Sequence, residues 1–104
     1  MSIEDTQTVD AIGTEPDGTV VLTISDHLEW NDKHLQLLQE KLNCYLAFVE
    51  SGEINETYPA AKDSDIKINV ICKYEPTTDG KSFLSKCEEI ITQAGFGFGY
   101  EAGI

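Results

Sequence analysis

The densest set of chemistry-bearing side chains is Ser25-Asp26-His27-Leu28-Glu29-Trp30-Asn31-Asp32-Lys33-His34, which holds both histidines of the chain. Histidine changes charge near neutral pH and ligates divalent metals, and a nearby carboxylate can orient it. Asp26, His27, Asp32 and His34 therefore have the residue types of a small metal-binding protein or of an enzyme with an acid/base pair. Their spacing argues the other way. His27 and His34 stand seven positions apart across an expected helix start, and neither an HExxH nor a CxxC pattern occurs. The same stretch has a structural use, with Asp26 and Asn31 as turn and cap acceptors and Trp30 as a hydrophobic staple. We favour that use, and expect no metal and no cofactor.

Nucleophilic and phosphate chemistry fare no better. The three cysteines, Cys44, Cys72 and Cys87, have no local pairing motif and fall within apolar patterns, so they read as small buried hydrophobes in a reducing compartment rather than as a disulfide framework. Cys44 is the one expected to be accessible, while Cys72 and Cys87 face the core, where thiols are inert. Gly95, Gly97 and Gly99 follow a helix, whereas a phosphate loop must follow a strand and open a helix. No catalytic constellation is left, and a non-enzymatic protein is expected.

Nineteen acidic residues oppose seven lysines in 104 residues, arginine is absent, and the formal net charge is −12. Nucleic-acid binding runs on clustered Lys and Arg, so that class is excluded, as is an anionic bilayer surface. What the charge suits is a basic protein partner, or plain solubility. No secretory apolar region follows Met1 and no run is long enough to span a bilayer, so the chain is expected in the cytoplasm, with residues 1–8 as a short polar tail and 9–104 as one α+β domain.

The elements that must position these residues follow from periodicity. Residues 9–13 and 19–25 are β-rich runs around Glu15-Pro16-Asp17-Gly18, a hairpin. Asn31 or Asp32 opens a helix over about 34–50, which Gly52 ends. Its core stripe is Leu35, Leu38, Leu42, Tyr45, Leu46 and Val49, but Leu37, Cys44 and Phe48 form a second apolar strip on the opposite side. Residues 53–65 read as a connection with at most a short helical turn, closing on the turn Lys62-Asp63-Ser64-Asp65, and 66–74 as an alternating strand. Thr77 or Thr78 opens a second helix, with the stripe Phe83, Leu84, Cys87, Ile90, Ile91 and Ala94, and Gly95 ends it. The last strand, Phe96 to Glu101, sets aromatics on a core face and Gly97 and Gly99 on a bare one. The order ββαβαβ predicts a two-layer α+β sandwich, a mixed four-stranded sheet with two helices packed on one face.

Two features favour a protein partner over a substrate. Leu37, Cys44 and Phe48 make an apolar strip on an acidic molecule, and Gly97 and Gly99 leave backbone that another chain can approach. Leu37 and Phe48 are too apolar to stay in water, so cover is expected, either from the connection around Ile54, Tyr58 and Pro59 or from a second copy. Glu29, Asp32, Glu40 and Glu50 are the candidate contacts for a basic partner.

Asp10-Ala11-Ile12-Gly13, Leu22-Thr23-Ile24-Ser25-Asp26-His27-Leu28-Glu29-Trp30, His34-Leu35, Leu37 to Asn43, Glu50-Ser51-Gly52-Glu53-Ile54, Lys73-Tyr74-Glu75-Pro76 and Gln93-Ala94-Gly95-Phe96 together resemble a family of small, free-standing bacterial proteins filed only as a domain of unknown function. The resemblance covers nearly the whole chain. It implies a bacterial, cytoplasmic, single-domain protein and brings no activity, substrate or site residue with it. The expected function is an interaction module, in its most specific form an acidic inhibitor or immunity-type protein for a basic partner, with a homodimer as a further arrangement.

Overall fold

The computed structural model describes Val9 and residues 11–61 and 64–102. The expected tail over residues 1–8 lies outside the described residues, as do Lys62 and Asp63 of the expected turn. The elements are β1 (Ala11–Thr14), β2 (Val20–Asp26), α1 (Asp32–Glu50), α2 (Glu53–Thr57), a 3-10 turn at Pro59–Ala61, β3 (Ile66–Cys72), α3 (Thr78–Gln93) and β4 (Gly97–Ala102).

The four strands form one mixed sheet in the order β1-β2-β3-β4. β1 runs antiparallel to β2 through the hairpin, whose turn is closed by Gly18 N–H to the Glu15 carbonyl at 2.9 Å and Glu15 N–H to the Thr19 carbonyl at 2.8 Å. β2 and β3 are parallel with Leu22 beside Ile68 and Ile24 beside Val70, and β3 and β4 are parallel with Ile68 beside Phe98. Alternation then does the sorting: Val20, Leu22, Ile24, Ile68 and Val70 are fully buried, while Val21, Thr23, Lys67, Asn69 and Ile71 on the other face are half-exposed. One apolar cluster draws on every strand and helix. The expected two-layer α+β sandwich in ββαβαβ order is this architecture, with the expected connection resolved into α2 and the 3-10 turn.

Helix ends follow the caps in the sequence. The Asn31 side chain accepts from His34 N–H at 2.9 Å and the Thr77 hydroxyl from Gly80 N–H at 3.1 Å, each satisfying an orphan donor of a first turn. Gly52 and Gly95 leave the two long helices at φ of 84° and 96°, a backbone conformation that residues with a Cβ rarely adopt. After α3, Phe96 N–H reaches the Ile91 carbonyl and Gly95 N–H the Thr92 carbonyl, the paired bonds of a Schellman exit.

Three expectations on packing need correcting. The strand over 66–74 ends at Cys72, because Tyr74 lies beyond the end of the sheet and is 39% exposed. Ile90, expected in the α3 core stripe, is 60% exposed: α3 buries only the narrow Leu84 and Ile91 line against the sheet, so its flank toward α1 stays open as a groove beside Leu46, Phe83 and Cys87. Tyr100, expected on a core face, is 42% exposed because β4 has no neighbour beyond it among the described residues.

The second strip of α1 is divided. Phe48 is 8% exposed within its own chain, in one cluster with buried Ile54 and half-buried Tyr58, so the 53–61 segment folds back beside it; the Tyr58 and Thr14 hydroxyls, 2.6 Å apart, tie that segment to β1. Phe48 is a core residue here, not part of an open strip. Leu37 and Cys44 are half-buried. Replacing Phe48 by Asp puts a carboxylate where a ring is buried, so the variant is expected to lose about 3 kcal/mol or more. Thermal unfolding of the isolated chain at low concentration, read by circular dichroism, checks it: the melting temperature should fall by more than about 10 °C, while Leu37→Asp should cost clearly less.

Candidate functional site

Among the described residues, the β2–α1 junction holds two of the three buried polar or charged side chains. Asp26 occupies the last core-facing position of β2, and His34 lies in the first turn of α1; they are 3% and 1% exposed. Asp26 Oδ2 is hydrogen-bonded to His34 Nε2, and Asp26 Oδ1 accepts from Leu28 N–H at 3.2 Å. His34 Nδ1 lies 3.0 Å from the Glu29 carbonyl, which can only accept, so Nδ1 carries a hydrogen. One further proton is shared between Nε2 and Oδ2. On either atom it leaves the pair without net charge, which is the condition for burying both groups.

Trp30 closes this arrangement. Its indole stacks on the His34 ring with centroids 4.0 Å apart and planes 26° apart, and its Nε1–H donates to the Tyr74 carbonyl at 3.0 Å. The first turn of α3 packs against the same indole, since a Cβ built at Gly80 would sit 2.8 Å from Trp30 Cε3. In place of the expected hydrophobic staple, Trp30 stacks on an imidazole of the first turn of α1, and it joins the ends of β2 and β3 to the starts of α1 and α3.

Of Asp26, His27, Asp32 and His34, only Asp26 and His34 are bonded to each other. His27 and Asp32 are exposed, and both ring nitrogens of His34 are hydrogen-bonded to protein partners, the Glu29 carbonyl and the Asp26 carboxyl. His27 and His34 border one cavity of about 400 Å³ with Glu29, Leu37 and Tyr74, but both imidazole nitrogens of His34 are engaged within the protein. Among the described residues, no three His, Cys, Asp or Glu side chains stand together as a metal-binding group. The metal or acid/base reading of these four residues therefore loses its buried histidine to the fold.

The thiols are free and unreactive where they are buried. Burial, with the nearby charges of Asp26 and Glu75 adding to it, pushes the Cys72 thiol up to about 12, and burial alone pushes Cys87 up to about 11. Neither is a thiolate at neutral pH.

A second place is an open cleft of about 890 Å³ between β1, α1 and α2. Ile12, Cys44, Ala47 and Phe48 give it an apolar floor, Glu40 and Glu53 are its charged groups, and no Lys, Arg or His is among its described lining residues. The expected contact residues thus fall in three places. Cys44, Phe48 and Glu40 share the cleft, Leu37 and Glu29 belong to the junction cavity with Asp32 exposed beside it, and Gly97 and Gly99 lie on β4.

The bare glycine strip also needs correction. The Lys67 side chain from β3 runs along it, with Cγ 3.3 Å from where a Gly97 Cβ would stand and Nζ 3.5 Å from the corresponding point at Gly99. The vacancy left by the glycines is filled by a lysine stem. A further buried cation went unread in the sequence: Lys41 is fully buried, its Nζ 5.8 Å from the Tyr45 ring centroid.

A family model matches residues 1–103. The chain belongs to the Family of unknown function (DUF6572). No curated protein and no solved structure matches it. No helix among the described residues is long and apolar enough to cross a membrane.

Gly80 offers a sign test of the junction. In a helix Ala normally exceeds Gly by about 1 kcal/mol, yet a methyl at position 80 collides with the Trp30 ring. Gly80→Ala should therefore destabilise, by about 1–2 kcal/mol, with a lower urea midpoint at unchanged slope; a rise in the midpoint would show that the indole does not pack there.

Proposed function

We propose that this member of the family is a non-enzymatic module that binds a basic protein, in its most specific form an acidic inhibitor or immunity-type protein of the bacterial cytoplasm. The observation that carries the reading is the cleft between β1, α1 and α2, where an apolar floor of Ile12, Cys44, Ala47 and Phe48 meets the carboxylates of Glu40 and Glu53 with no opposing cation in the described lining. Such a surface suits an apolar anchor side chain flanked by Lys or Arg. Glu29, Asp32 and Glu50, all exposed, extend the negative field around it, and a net charge of −12 speeds the encounter with a cationic partner in a salt-dependent way.

The buried histidine and the raised cysteines support binding over catalysis, since neither serves as a base or nucleophile at the surface. The test is capture at low salt from a bacterial lysate with the parent chain, Glu40→Lys/Glu53→Lys, and Glu88→Lys on the exposed face of α3. The parent and Glu88→Lys are expected to retain the same basic protein, identified by mass spectrometry, and the double variant to lose it. Equal capture by all three, or capture of nothing basic, contradicts the reading.

A further inference from the structure

Among the described strands β4 ends the sheet, and it carries few of the devices that blunt a free edge. Gly97-Phe98-Gly99-Tyr100-Glu101-Ala102 has no proline and no lysine, and its single charge is Glu101. Edge strands of this kind pair readily with another strand. Tyr100 is 42% exposed on the helix side of the edge, and half-buried Phe98 lies two residues before it on the same face.

The pattern around Gly99 is complementary to itself. In an antiparallel pair about a two-fold axis at Gly99, the Gly99 residues of two copies stand opposite each other, Phe98 stands opposite Tyr100 of the second copy, and Glu101 stands opposite its Gly97. Opposed residues of an antiparallel pair share a face. Two aromatic pairs therefore form on the helix side and cover the Tyr100 rings. On the other side each Glu101 meets the glycine strip along which Lys67 runs, with that ammonium beside Gly99. The carboxylate of the edge, Glu101, which accepts from Asn69 Nδ2 at 3.4 Å within its own chain, is thereby brought to the side of the sheet along which the partner copy's Lys67 stem runs. We propose that β4 is a self-association edge, through which two copies of this chain join their sheets antiparallel about Gly99.

The second copy is favoured over a foreign strand by this double match, aromatic to aromatic and Glu101 to Lys67, within one stretch of six residues. The site is separate from the acidic cleft, which lies at the β1 side of the sheet, so either can fail alone.

Sedimentation velocity on the full chain from about 10 μM to about 1 mM, the range that a small interface implies, should show a reversible monomer–dimer equilibrium. Glu101→Lys sets like charges together at two symmetric places and should weaken the dimer roughly tenfold, and Glu101→Lys/Lys67→Glu should restore it. Gly99→Cys places two thiols across the axis within disulfide reach, so mild oxidation should give a covalent dimer absent from the parent and from Gly97→Cys. A chain that stays monomeric throughout overturns the proposal. So does a dimer indifferent to Glu101→Lys and not trapped by Gly99→Cys, which would use another surface, or a monomer whose β4 captures the strand of a different protein.

Discussion

The buried contact between Asp26 and His34 is the constraint on which the rest of this fold depends. Asp26 closes β2 and His34 opens α1, so their bond fixes the angle at which the chain turns from sheet to helix. Two charged groups removed from water are tolerated only if each is fully partnered. Leu28 N–H and the Glu29 carbonyl supply the remaining partners from the loop itself, which holds the loop in one shape. Trp30 then carries the constraint outward to the end of β3 and the first turn of α3, where glycine is needed at position 80 because the indole takes the space.

With the junction fixed, α1 lies across the sheet so that Leu38, Leu42 and Tyr45 are buried on it, and its far flank opens toward β1 and α2. That flank is where apolar floor and acidic groups coincide. The two long edges of the molecule differ in chemistry: the β1 side offers carboxylates without a counter-charge in the described cleft lining, while the β4 side offers backbone with one carboxylate and one lysine. A surface of the first kind suits electrostatic steering, and one of the second kind suits strand pairing.

Much of the fold was legible because it is written in local periods. The alternation of Val20, Leu22 and Ile24 and of Ile68 and Val70 gave the sheet faces, and Asn31, Gly52, Thr77 and Gly95 gave the helix ends to within a residue or two. The central pair was missed although both periods reach it. Asp26 is the next core-facing step after Ile24, and His34 stands four residues before Leu38 and seven before Lys41 on the buried stripe; the sequence reading makes Asp26 a turn acceptor and His34 a ligand or base, where two polar groups on converging core faces signal a buried pair. Ile90 and Tyr100 failed for the opposite reason. Their periods were right, but a four-stranded sheet under two long helices has too little width to cover every apolar flank. How Lys67 fills the glycine strip depends on β3 and β4 being neighbours, which no local pattern states.

The most direct measurement of the central claim is the ring-nitrogen spectrum of His34. In a long-range ¹H–¹⁵N correlation of the uniformly labelled chain, His34 should carry a directly observable Hδ1, held by the Glu29 carbonyl and exchanging slowly with solvent, and Asp26→Asn should change the Nε2 resonance while His27 stays as it was. A His34 ring whose protons exchange as fast as those of exposed His27, or whose Nε2 is blind to Asp26→Asn, would contradict the account.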